Sequence, residues 1–413
     1  MRGLLQHRGL RLIFVANLVS MIGSGMNTAA VTWFILQATH SEMSLSTLVV
    51  LQTVPALLML PFTGVIIDRG DRRRLIMLLD ALRGALILSV AVLAFRNRVQ
   101  VWHLYAMGAL VAAGFWMFWP TITALIQELT PASEFVAANT MLLAGVQGGW
   151  MIAGAVVGFV YERIHLGGVL ALDAATYAVS FICYFALRRG KVTVTPRELP
   201  SHVGEGAWER YLHELREGVD YLRCKRYIVL LGISWSIFIA SMMTQGVTTA
   251  PLSDRILHAG ARGFGWLNAG WAIGAFTSTL YAPSFIRWLH GRRSVVWAMA
   301  ILALSLILAP FCASVAIAVM CYVIMGSGRG LAGIAISSTM MEMVPMHFMG
   351  RVQNTFFFIG TLLQLATSIG VGAIAEHISL ALAFAMIGVM YGVAAITAAW
   401  PVAAPAKVPA ESA

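Results

Sequence analysis

The chain has 413 residues, of which 59% are hydrophobic and 11% charged, with a mean hydropathy of +0.80 and a formal net charge of +10. Soluble globular domains carry about 25% charged residues, so this composition excludes a water-soluble enzyme or binding domain and describes a chain built for lipid. Cys183, Cys224, Cys312 and Cys321 form no C-x-x-C pair, which argues against a disulfide framework or a zinc site.

A span of the bilayer core takes about 20 apolar residues. About twelve such runs follow one another, at 12–37, 45–67, 75–95, 101–126, 138–161, 168–187, 227–250, 264–286, 294–312, 315–340, 352–375 and 380–400. The first follows Arg2, Arg8 and Arg11 as a signal-peptide core would. It is too long for that role and more spans follow, so it reads as a retained first helix. The segments between runs alternate in charge. Arg69, Arg72, Arg73, Arg74, Arg188, Arg189, Lys191 and most other basic residues fall in one set, whereas the other holds only Arg96, Arg98, Arg163, Arg255 and Arg262. The positive-inside rule then predicts a cell-membrane protein with both termini in the cytoplasm. The excess charge faces anionic membrane lipid, which explains the net charge without nucleic acid.

In chain order, the first span carries a polar stripe at helical spacing, Asn17, Ser20, Ser24 and Asn27. Between the second and third spans lies GVIIDRGDRRR, Gly64 to Arg74. Gly64 permits close helix approach, Asp68 can sit against a helix N-terminus, and Arg69, Arg72 and Arg73 can pair with carboxylates or lipid phosphate. Within the third span Asp80 and Arg83 are three residues apart, share a face and can pair, as a structural pair near the inner surface. The fourth span adds Trp116, Trp119, Thr123 and Gln127. Asp173, in the sixth, reads either as a protonatable carboxylate or as a local capping group. An ionisable group at the bilayer centre costs about 2.5–3.5 kcal/mol on insertion scales, so each one calls for a reason.

The longest polar stretch, 188–226, divides the chain into halves at 1–187 and 227–401. Within it Trp208, Leu212, Leu215, Val219 and Leu222 form an apolar stripe, so this helix lies on the inner membrane surface or docks on the protein's own cytoplasmic face. The seventh span carries Ser234, Ser241, Gln245 and Thr248. Arg329 lies near the middle of the tenth, flanked by Gly328 and Gly330, with no obvious acidic partner in mid-span; a substrate contact and a helix-bracing role are equally open. Residues 402–413 are rich in Pro and Ala and are expected to be disordered.

The two halves repeat each other. Gly114, Glu128, Pro131, Gly158 and Glu162 recur 214 positions later as Gly328, Glu342, Pro345, Gly372 and Glu376. In both copies a run ends in Gly-x-x-x-Glu. Internal repeats of this kind place a substrate site between halves in secondary transporters.

The segment Gly64 to Arg73 resembles the cytoplasmic signature loop of the major facilitator superfamily, with Asp71 where that pattern carries glycine. Asp80, Arg83, Pro120 through Glu128 to Asn139, Leu172 to Phe181 and Gly350-Arg351-Val352 extend the resemblance to the drug-efflux branch that includes macrolide and enterobactin exporters. Antiporters of that superfamily carry Gly-Pro in the fifth span; here Gly154 to Gly158 lacks the proline. The resemblance implies an all-α membrane protein of twelve transmembrane helices in two pseudo-symmetric six-helix halves. It implies a latch at Gly64, Asp68, Arg69, Arg72 and Arg73, and a cavity lined by the first, fourth, seventh and tenth spans. Asn17, Ser24, Trp116, Trp119, Gln127, Ser241 and Gln245 are then cavity candidates, and Asp80, Arg83, Asp173 and Arg329 are the intramembrane charges. A cavity that is aromatic and poor in charge suits a large amphipathic compound.

The only lysines are Lys191, Lys225 and Lys407, none in a phosphate-binding G-x-x-x-x-G-K-[ST], so no ATP drives the chain. No cofactor, metal or catalytic constellation is expected. The expected function is secondary transport, a proton-coupled efflux of small amphipathic molecules by alternating access. A siderophore or lipid exporter of the same fold is the alternative within transport, and a non-transporting membrane scaffold or sensor the alternative outside it.

Overall fold

The computed structural model describes residues 8–69, 71–130, 135–187, 207–223, 225–289, 291–344 and 346–400. Among them the chain is helical with no strand. The first half holds α1 (Arg8–Thr39), α2 (Glu42–Arg69), α3 (Arg72–Phe95), α4 (Val101–Leu129) and α5 (Phe135–Ala186). Helix α5 is two spans: His165, at φ 53°, breaks it into arms 135–164 and 166–186. A single left-handed residue thus replaces the loop expected between the fifth and sixth spans. The connecting helix α6 (Ala207–Arg223) leads to α7 (Arg226–Thr244), α8 (Gly246–Pro251), a π turn at Leu252–Ile256, then α9 (Gly260–Leu289), α10 (Arg292–Leu308), α11 (Val315–Met343), α12 (Met346–His377) and α13 (Leu380–Ala399). The seventh span is therefore interrupted at Gln245, where sequence predicted one continuous helix.

Among the described residues, ten helical segments are both long and apolar enough to cross a membrane; the first arm of α5 and helix α9 bring the total to the twelve expected. Helix α9 reads as less apolar because four glycines, Gly263, Gly265, Gly270 and Gly274, take positions that elsewhere carry Leu or Ile. Those positions face other helices, not lipid. The lipid faces are apolar and open: Leu82 and Leu88 on α3, Ile182 and Phe185 on α5, Leu304 on α10, Val389 and Ile396 on α13. Water-driven burial does not hold such helices together, so close packing and interhelical hydrogen bonds must.

Small residues do this at α9 and α11. A Cβ on Gly274 would collide with the Val323 carbonyl oxygen, and one on Gly326 with that of Trp271. Backbone cannot retreat as a side-chain tip can. Gly326→Ala is therefore expected to destabilise the protein by up to about 3 kcal/mol, the upper range for overpacking, and to lower the thermal midpoint in detergent. Gly333→Ala on the same helix is the control. Its added Cβ meets nothing within 4 Å, so its midpoint should hold or rise slightly.

Candidate functional site

The signature segment bridges α2 and α3. Asp71 caps α3, its side chain accepting from Arg74 N at 3.3 Å, which accounts for an acid where the pattern carries glycine. Arg72 pairs with Glu128 of α4 at 2.5 Å. Arg73 donates Nε to the Tyr184 carbonyl at 2.7 Å and Nη2 to that of Phe185 at 2.5 Å, so it closes the C-terminal end of α5. Arg292 repeats this role in the second half, donating to the carbonyls of Ala398 and Trp400 at 3.0 Å each. The two arginines thus close corresponding helix ends in the two halves. The side chains of Gly64, Asp68 and Arg69 lie outside the described residues.

The first-span stripe turns onto α5. Asn17 donates to Tyr184 Oη at 3.0 Å, the Ser24 and Tyr177 hydroxyls meet at 3.0 Å, and Asn27 donates to Asp173 Oδ2 at 2.6 Å. Asp173 is fully buried, and Thr176 is its other hydrogen-bonding side chain. Close by, Arg83 pairs with Asp80 at 2.7 Å and packs over the rings of Tyr177 and Phe118, while Ser180 donates to Asp80 Oδ2 at 2.6 Å. The pair is 3% and 0% exposed, so it is packed inside the half, joined as expected. Two carboxylates and one guanidinium share this enclosure. One proton would make it neutral.

The remaining cavity candidates divide. Trp116 reaches Phe357 of α12 at 5.1 Å between ring centroids, and Trp119 packs on Phe115, both half-buried; Gln127 is exposed. Ser241 is fully buried with an unpartnered hydroxyl, and Gln245, 7% exposed, accepts at its carbonyl from Thr248 and Thr249. Arg329 stacks over Trp271 of α9 at 4.6 Å and donates Nε to Met242 Sδ of α7 at 3.1 Å. Sequence reasoning missed Trp271 and Met242, since a cation partner that carries no charge leaves no charge pattern to find.

The two halves are clasped at the end opposite the signature segment. Glu162, ending the first arm of α5, pairs with Arg262 at the start of α9 at 2.6 Å. Glu376, ending α12, accepts from the Ser41 hydroxyl and, at 2.9 Å, from Met43 N at the start of α2. These are the repeated glutamates, related by the internal symmetry. Their glycines make the crossings close: Gly158 lies against the Ala261 and Arg262 backbone, Gly372 against Ser46 and Glu42. Arg255 adds a third link, to Glu42 at 2.8 Å and to the His40 carbonyl at 2.9 Å. Midway, Gln364 donates to Thr53 at 2.7 Å. At the signature end, Gln127 of α4 and Met341 and Glu342 of α11 are exposed. There α6 rests on α12: a Cβ on Gly218 would press on Thr355 and the Arg351 carbonyl, and Glu217 pairs with Arg351 at 3.0 Å. Leu212 and Val219 stay exposed on its outer side, so one face docks and another is left for the membrane surface.

A family model described as Major Facilitator Superfamily matches residues 13–370. An uncharacterized MFS-type transporter of Bacillus subtilis, YfiS, is 21% identical over 92% of this chain and 90% of its own length. Macrolide efflux protein A of Streptococcus pyogenes is 22% identical over 55% of this chain and 54% of its own. Among solved structures, a mutant of the nucleoside transporter NupG superposes with a TM-score of 0.75 at 12% identity, covering 95% of this chain and 99% of that one.

Proposed function

The chain belongs to the major facilitator superfamily, and from that premise we propose that it is a proton-coupled exporter of amphipathic small molecules. The observation that carries this reading is the asymmetry between the two ends. Symmetric clasps close one end of the seam between halves, while at the other the ends of α4 and α11 expose Gln127, Met341 and Glu342. Such a molecule works by rocking one half against the other around a midway site. The arginine-rich signature end is the cytoplasmic one under the positive-inside rule, so this conformer receives substrate from the cytoplasm. Asp68, Arg69 and Gly64 serve as the latch of the opposite conformer. The cluster of Asp80, Arg83 and Asp173 takes up the coupling proton.

The aromatic surface at Trp116, Trp119 and Phe357 favours a large, partly apolar substrate, and the likeness to macrolide efflux protein A points the same way. The test is an accumulation panel in a pump-deficient bacterial host, covering macrolides, other amphipathic drugs and ferric siderophores. Expression should lower drug accumulation, and a protonophore should restore it. Unchanged accumulation of every drug, or efflux indifferent to the protonophore, would overturn the reading. Selective loss of siderophore would move the substrate to the alternative class.

A further inference from the structure

We propose that Arg329, Trp271 and Met242 form an anion subsite, so that the preferred substrate is an amphiphile carrying a carboxylate or sulfonate beside an aromatic body. This names the substrate class within the transport reading and rests on it. The geometry is independent of that reading.

Arg329 lies fourteen residues into the 29-residue helix α11, at mid-span. Among the described residues no carboxylate lies within ion-pair distance of it, and the two Nη groups have no hydrogen-bond partner. Yet neither Nη is sealed off. Arg83 makes the contrast: its Nη1 is sealed without a partner inside a packed charge cluster. Arg329 instead keeps part of its surface open. The protein bears the cost of an intramembrane cation here and leaves its strongest donors unused.

The surroundings are shaped for a ligand. Gly326 brings α9 close enough to lay Trp271 over the guanidinium. Met242 occupies Nε. That leaves the Nη edge, a planar fork matched to two oxygens of one anion. One turn toward the signature end, Gly333 has nothing within 4 Å of where its Cβ would stand. A helical side chain covers the turn N-terminal to its own Cα, so the missing one would have covered the turn that carries Arg329. The opening faces the end from which substrate enters. Trp271 and Met242 supply apolar contact for the body of the molecule, and low dielectric strengthens the cation's field on its head.

The test uses two probes of one shape, 8-anilinonaphthalene-1-sulfonate and its uncharged relative N-phenyl-1-naphthylamine. Binding is read by tryptophan quenching with the full chain in lipid nanodiscs. Arg329→Gln should weaken the sulfonate about tenfold or more, the size of one lost charge-assisted contact, and the neutral probe less than about twofold. Arg329→Lys should fall between, keeping the charge without the fork. Gly333→Leu, which enters open space and should fold normally, should weaken the sulfonate with Arg329 intact. Absence of saturable sulfonate binding in the wild type, or equal weakening of both probes in Arg329→Gln, overturns the subsite. A normal thermal midpoint in Gly333→Leu with unchanged sulfonate affinity overturns it as well. Selective sulfonate binding without movement of either probe into proteoliposomes leaves the subsite standing and removes the transport reading. Proton-driven movement of the neutral probe with no sulfonate preference does the reverse.

Discussion

Asp173→Asn is expected to abolish uphill efflux while downhill exchange of substrate across proteoliposomes continues. The substitution keeps the size of the side chain and its bonds: an amide oxygen can still accept from Asn27, and the amide NH2 can donate to Thr176. What disappears is the ability to gain and lose a proton. In the wild type, Asp80 pairs with Arg83, and Asp173, fully buried on the same arm of α5 that carries Tyr177 and Ser180, lies within the field of that one guanidinium. Burying an unbalanced charge is costly, so proton occupancy of Asp173 and the charge state of the whole cluster are linked. The cluster also ties α1 and α3 to α5 through Asn27 and Ser180, which gives a proton a mechanical grip on three helices of the first half. Efflux driven by an imposed pH gradient, at equal protein per liposome, is the measurement. Wild-type gradient-driven efflux by the Asn variant would remove Asp173 from the coupling path. Loss of exchange as well, with poor membrane yield, would assign it to holding the helices.

Much of the architecture was legible because its cause is local. Runs of about 20 apolar residues specify spans without any knowledge of their neighbours, and ten of the twelve pass on length and composition alone. The site was legible only as faces. Periodicity put Asn17, Ser24 and Asn27 on one side of α1, but nothing in that spacing says which helix the side meets. The answer, α5 through Tyr184, Tyr177 and Asp173, depends on tertiary crossing. Backbone acceptors leave no mark in sequence either, so the capping roles of Arg73 and Arg292 were hidden even though the arginines themselves stood out. The repeated Gly-x-x-x-Glu is the instructive case. It was visible at an offset of 214, and its partners were not, because one is the arginine Arg262 and the other a hydroxyl and a backbone N–H.

Releasing both clasps should swing the molecule toward its other conformer. In Glu162→Gln with Glu376→Gln, each side chain keeps its shape and loses its charge. The Glu162–Arg262 pair is partly exposed and contributes about 0.5–1 kcal/mol. Glu376 is exposed and accepts two hydrogen bonds at the start of α2, where its charge also complements the positive end of the helix dipole; with the bonds kept by the amide oxygen, loss of that charge costs about 1 kcal/mol. A combined loss of about 2 kcal/mol shifts a two-state balance about thirtyfold. Glycine packing at Gly158 and Gly372 is untouched, so folding should survive and only the balance should move. Spin labels at Asn97→Cys and Ala313→Cys, both exposed and on opposite halves at the clasped end, report the gap directly. The double variant should show a longer distance as its main population, and substrate-free wild type the shorter one. Each single variant should fall between, with Glu376→Gln the larger effect because its charge strengthens two bonds and faces a helix N-terminus rather than one partly solvated pair. An identical distance distribution in wild type and double variant would show that packing alone closes this end, leaving the repeated glutamates no part in the cycle.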